Sequence, residues 1–174
     1  ARRRPLVCLP GLTRNHRDFH DIATYISGPG PAQRDVYCLD YRGRGGSEWD
    51  SDWKNYAVPI EMLDVIDFLI MQGLHDVAVL GTSRGGLITM IMAAVQPTLV
   101  GAVVLNDIGP IVETDGLTRI ATYIGRIPLP RTWEEATRLV SSANKAQFPN
   151  VSPQTWGEVA RQWYNEKDLS LQHI

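Results

Sequence analysis

The stretch that most limits what this chain can become is Val77-Ala78-Val79-Leu80 running into Gly81-Thr82-Ser83-Arg84-Gly85-Gly86. A valine-rich apolar run reads as a buried strand. It breaks into a G-x-S-x-G turn, and the helix-compatible run from Leu87-Ile88-Thr89-Met90 to about Val95 stops before Pro97. A serine lifted clear on so sharp a turn sits in strained backbone, and its neighbours must be small; Gly81 and Gly85 meet that need. The turn also aims the first N–H groups of the following helix at whatever sits over Ser83. The alternative is an ordinary strand-to-helix turn that happens to hold a serine.

The rest of the chain supplies a context for that turn. Pro5–Leu9 reads as a short buried strand, Pro10-Gly11-Leu12-Thr13-Arg14-Asn15 as a turn, and Asp18–Tyr25 as a helix ended by Gly28-Pro29-Gly30-Pro31. A second strand, Asp35–Leu39, leads into the glycine-rich loop Asp40-Tyr41-Arg42-Gly43-Arg44-Gly45-Gly46-Ser47. That loop has neither the G-x-G-x-x-G nor the Walker A spacing, so it reads either as a sharp bend or as a less regular phosphate cradle. Pro59–Gln72 is an amphipathic helix, with Met62, Leu63, Ile66, Leu69 and Ile70 on one stripe and Glu61, Asp64 and Asp67 facing away. Gly101–Leu105 is a fourth strand, ending at Asn106-Asp107-Ile108-Gly109-Pro110. Alternating strands and helices predict an α/β fold, a parallel sheet with helices on both faces. Function collects at the C-terminal ends of such strands, where Leu12, Ser83 and Asp107 fall.

After Pro110 the pattern changes. Helices are expected over Gly116–Ile124, from Trp133 to about Ala146 behind the capping box Thr132-Trp133-Glu134-Glu135, and from Pro153 to about Lys167 behind Ser152. The expected division is therefore a core over 1–112 and a distinct helical unit over 113–174 that adds no strand to the sheet. Trp133, Trp156 and Trp163 either pack this helical part or line an apolar pocket.

Composition narrows the function classes. The chain has 174 residues, is 44% hydrophobic and 21% charged, and carries a net charge of −2. That balance gives no sign of nucleic-acid or anionic-membrane partners, and Arg2-Arg3-Arg4 is too short and lacks interleaved aromatics. No apolar run approaches the roughly 18 residues of a membrane span, and no signal peptide precedes the first strand. Cys8 and Cys38, each inside a strand-like run, are expected to be buried free thiols in a reducing cytoplasm.

Four segments in order, Leu9-Pro10-Gly11-Leu12, Asp40–Ser47, Gly81–Gly86 and Leu105–Pro110, resemble the α/β-hydrolase fold family, in the capped, serine esterase- and lipase-like branch. The resemblance covers most of residues 5–110 and implies strand order Val36, Val7, Val79, Val104. It departs in Pro10-Gly11, where the family commonly has His-Gly. It also departs in extent, since the family pattern has two more strands at either end. A further expectation is thus that only the middle of the fold is present.

The resemblance implies a serine hydrolase acting on a small-molecule carboxylic ester or related acyl bond, without cofactor or metal. Ser83 is the nucleophile, and the backbone N–H groups of Leu12 and Arg84 form the oxyanion hole. The Arg84 side chain either lies on the surface or touches substrate. Asp107 is the in-chain candidate for the triad acid, or else braces its own turn. Lactonase, carbon–carbon hydrolase, cofactor-free haloperoxidase and acyltransferase chemistry share this nucleophile, and an inactive ligand-binding protein is the reading from another class. Of four histidines, His75 lies at the wrong end of its strand, His173 at the end of the cap and His20 in the first helix. His16 is on the correct edge but beside the oxyanion position, so the base is expected to lie outside these residues.

Overall fold

In a computed structural model the described residues are 3–112, 114–123, 129–167 and 170–173. They divide into two units, 1–112 and 113–174.

The first unit is built on four short strands: β1 (Leu6–Leu9), β2 (Val36–Cys38), β3 (Val77–Thr82) and β4 (Val100–Asn106). They form one parallel sheet in the order β2-β1-β3-β4, as the resemblance implies, with β3, the strand that runs into the Ser83 turn (the elbow), internal. The helices are α1 (His20–Ser27), α2 (Val58–Met71) and α3 (Arg84–Val95), with a short 3-10 turn, His16–Phe19, ahead of α1. Alternation along β1 sends Val7 and Leu9 to one face and Leu6 and Cys8 to the other. Val7, Leu9, Val77 and Val79 pack with Met62, Val65, Ile66 and Leu69 of α2 and with Ile88 and Met92 of α3. Leu6 and Cys8 pack with Phe19 and, more loosely, Ile26 on the opposite face. Burying β1 on both faces is what a parallel sheet under two helical layers requires. Cys8 and Cys38 face each other in register across β1 and β2 as free thiols, Cys8 buried and Cys38 half-buried. The Cys8 thiol is pushed up by its hydrogen bond with Cys38 and then by burial.

β4 differs from β1. Val103 and Val104 are 42% and 57% exposed, because β4 has β3 as a neighbour on one side and no second neighbour among the described residues.

α2 corrects the expected stripe. Its inward face is Glu61, Met62, Val65, Ile66 and Leu69, while Leu63 and Ile70 are exposed. Glu61, expected to face solvent, is only 4% exposed.

The second unit contains α4 (Thr114–Tyr123), α5 (Trp133–Asn144) and α6 (Pro153–Trp163). The Ile124 end expected for α4 lies outside the described residues. Thr132 caps α5 by accepting from Glu135 N at 3.1 Å, and Ser152 caps α6 by accepting from Thr155 N at 3.1 Å. Ala136, Val140, Trp156, Ala160 and Tyr164 form its core, with Trp133 and Trp163 packed against it, so all three tryptophans serve the unit's own packing. The expectation of helix to Lys167 is overturned: α6 stops at Trp163. β5 (Tyr164–Lys167) and β6 (Ser170–His173) then pair antiparallel, separate from the main sheet. The apolar period that builds α6 ends at Trp163, and the chain turns extended at Tyr164.

Candidate active site

Ser83 stands between β3 and α3 with φ 49° and ψ −110°. Positive φ in a residue with a β-carbon is costly and persists where the surroundings enforce it. Close approach does that here. A β-carbon at Gly81 would lie 2.6 Å from the Gly85 carbonyl oxygen, and one at Gly85 would overlap the Leu9 carbonyl. The two glycines of the motif are therefore what let β3, α3 and β1 meet. The Ser83 N–H donates to Asn106 O at 2.9 Å, and the Ser83 carbonyl accepts from Gly86 N at 2.9 Å and Leu87 N at 3.1 Å. Its hydroxyl makes no hydrogen bond with any described residue.

The neighbouring loop ends approach the same point. A β-carbon built on Gly11 would lie 3.7 Å from Ser83 Cβ, which places the Leu12 segment beside the serine. The N–H groups of Leu12 and Arg84 donate to no other described residue. Asp107 follows β4 directly, is exposed, and has a positive φ of 54°, as Ser83 does at 49°. Register pairs Thr82 with Asn106, and Asn106 Nδ2 donates to Thr82 Oγ1 at 3.2 Å, so Asp107 begins one residue beyond the elbow's tie to β4.

The Arg84 side chain neither lies free on the surface nor reaches outward. Its Nε donates to buried Glu61 Oε2 at 2.6 Å and its Nη2 to the Tyr56 carbonyl at 3.0 Å. Sequence reasoning missed Glu61, and an acidic residue on a helix offers no signal that an arginine distant in sequence will cover it.

The glycine-rich loop has its own anion. Asp40 accepts from His16 N at 2.7 Å, from His16 Nδ1 at 2.7 Å and from Gly46 N at 2.9 Å. A phosphate-cradle reading fails for this reason, since the loop's amide is filled by a carboxylate of the same chain. His16 has a carboxylate behind it, yet neither it nor any other imidazole among the described residues hydrogen-bonds Ser83. His20 and His75 lie in α1 and ahead of β3; the side chain of His173 lies outside the described residues. Arg42 ties the loop to α2 through Asp64 at 2.8 and 2.6 Å and to Asp50 at 2.6 Å.

No group of three or more His, Cys, Asp or Glu among the described residues is arranged to hold a metal ion. No helix among them is long and apolar enough to cross a membrane.

Comparison with known proteins identifies the fold family. A 3-hydroxybutyrate-oligomer hydrolase from Cupriavidus necator is 35% identical over 91% of this chain and 53% of its own length. Lipase LipV from Mycobacterium tuberculosis is 31% identical over 64% of this chain and 39% of its own. The chain thus spans about half the length, or less, of these curated relatives. An alpha/beta hydrolase of known structure from Novosphingobium aromaticivorans superposes with a TM-score of 0.89 at 35% identity, over 99% of this chain and 60% of that one. The alpha/beta hydrolase fold model matches residues 4–158, and the chain belongs to that family.

Proposed function

We propose that this chain carries the nucleophile and oxyanion site of a serine hydrolase that cleaves carboxylic esters. The observation that carries the reading is Ser83, held at φ 49° on a glycine-walled turn with a hydroxyl that has no hydrogen-bond partner among the described residues. In the reaction Ser83 Oγ attacks the ester carbonyl and its proton passes to a base. The adduct collapses with cleavage of the ester C–O bond, the alcohol leaving with that proton, and water then hydrolyses the acyl-enzyme to release the acid and restore the serine. The tetrahedral oxyanion is received by the unengaged N–H groups of Leu12 and Arg84; losing one such donor typically costs about 2.7–4 kcal/mol of barrier. Asp107 is assigned the triad acid, supported by its place after β4 and its positive φ. Proton acceptance is assigned to a histidine outside the contacts described above. The relatives named for 3-hydroxybutyrate oligomers and for lipase activity favour esters of hydroxy or fatty acids as the substrate class. Residues 113–174 are assigned the role of a cap, a small-molecule ester is the expected partner, and a cytoplasmic location remains the reading of the free cysteines.

The test is hydrolysis of short-chain nitrophenyl esters and of 3-hydroxybutyrate oligomers by the full-length protein. Ser83→Ala is expected to abolish turnover of every ester that the parent cleaves. A Ser83→Ala protein of undiminished activity contradicts the proposal.

A further inference from the structure

The elbow has few side chains with which to hold itself. Of residues 81–86, Gly81, Gly85 and Gly86 have none, and among the described residues the Ser83 hydroxyl has no partner and Thr82 reaches only Asn106. The bonds to the Ser83 carbonyl come from Gly86 and Leu87, the first turn of α3 itself, so they move with that turn. Arg84 is the one elbow side chain that reaches α2 and the segment before it. It does so at two points, Glu61 Oε2 at 2.6 Å and the Tyr56 carbonyl at 3.0 Å, which together fix the plane of the guanidinium. Both partners of the ion pair are removed from water, with 17% of the Arg84 and 6% of the Glu61 side chain exposed.

We propose that Glu61 is a positioning residue: through the Arg84 guanidinium it holds the Ser83–Arg84 peptide so that the Arg84 N–H faces the oxyanion. The inference rests on the reading of Ser83 as nucleophile. Net stability does not account for the pair, since a buried ion pair is often no better than apolar residues of the same volume. Orientation does account for it. A strained peptide relaxes unless its surroundings over-determine it, and an oxyanion donor works only when aimed at the place where charge develops. The surroundings suit an electrostatic strut. The buried Tyr41 hydroxyl beside the pair has no hydrogen-bond partner among the described residues, and burial and then the Glu61 charge push its phenol up. A dry setting of this kind strengthens the attraction between carboxylate and guanidinium.

The experiment compares Glu61→Gln, the double variant Glu61→Met/Arg84→Met, and Ser83→Ala in the full-length protein. The Arg84 N–H survives in all of them, and the double variant leaves no unpaired buried charge. The expected result for both Glu61 variants is a fall in kcat of about tenfold or more with KM within about twofold, the signature of an interaction made in the transition state. Affinity for a trifluoromethyl ketone that mimics the tetrahedral adduct should fall in parallel. Should Glu61→Gln fail to fold, the double variant decides alone. Wild-type kcat and ketone affinity in the double variant overturn the positioning role, as does a loss confined to thermal stability. An active Ser83→Ala protein instead overturns the nucleophile reading, so the two failures are distinguishable.

Discussion

Two glycine-rich turns leave this sheet at the same edge, and they have opposite fates. The turn after β2 closes on itself. Gly43 N donates to Glu48 O at 2.7 Å, Arg44 N to Tyr41 O at 3.0 Å, Ser47 N to Arg44 O at 2.9 Å, and Gly46 N reaches the Asp40 carboxylate. The turn after β3 is held by neighbouring backbone and leaves a hydroxyl and an N–H at Ser83 and Arg84 without partners among the described residues. Glycine content alone does not distinguish them. What matters is whether the chain brings its own acceptor to the amides. A loop that does so is a structural brace, and one that does not is a place for a ligand.

Substitutions can break this contrast, the largest effect coming at Gly85. A β-carbon there would overlap the Leu9 carbonyl, a backbone atom that cannot step aside. Gly85→Ala should cost about 3 kcal/mol or more, measured as a lowered urea midpoint or as loss of folded protein. At Gly46 an added β-carbon meets nothing closer than Asp40 Oδ2 at 3.9 Å, so Gly46→Ala should shift stability by less than about 0.5 kcal/mol. Equal costs at the two sites would show that the turns are not built differently.

Next comes Asp40→Asn, which weakens three hydrogen bonds to one carboxylate. The expected loss is about 2 kcal/mol of stability, with kcat of the folded protein reduced by less than about tenfold. A collapse of kcat with stability intact would move Asp40 from brace to catalyst. A smaller effect than at Asp40 is expected at Tyr41, whose buried hydroxyl has no hydrogen-bond partner among the described residues. Tyr41→Phe should leave stability unchanged or raise it by about 1 kcal/mol. Burial raises the phenol's folded-state pKa above its unfolded value. The neutral phenol's contribution is therefore full below about pH 10 and is lost as pH rises beyond it. Alkaline unfolding scans should accordingly begin at higher pH for the phenylalanine variant; an unchanged or earlier onset would argue against a desolvated phenol.

The same contrast explains what was legible in the sequence. The order of the four strands follows from the family resemblance; the strands themselves and their parallel direction follow from valine-rich runs separated by helical spans, and the elbow from Gly81 and Gly85 around Ser83. These are local signals, each carried within about fifteen residues. Glu61 was not legible, because its burial depends on Arg84, far along the chain. The filling of the Asp40 loop by His16 is likewise a tertiary fact. The β5–β6 hairpin was missed because a well-capped, apolar-periodic α6 runs straight into it, and no glycine or proline marks the boundary at Trp163 and Tyr164. β4 shows the limit from the other side: its valines predict a strand correctly, but their exposure is set by what packs against them.

The central claim is that the β3 turn presents a reactive serine while the β2 turn does not present a reactive group. Intact-mass spectrometry of the full-length protein after treatment with a fluorophosphonate tests it most directly. The account predicts a single adduct, located to Ser83 by peptide mapping and absent from Ser83→Ala, whose thermal stability should be equal to or above that of the parent because a strained functional site is relieved. An adduct that persists in Ser83→Ala, or one mapped to Ser47 in the glycine-rich loop, would contradict it.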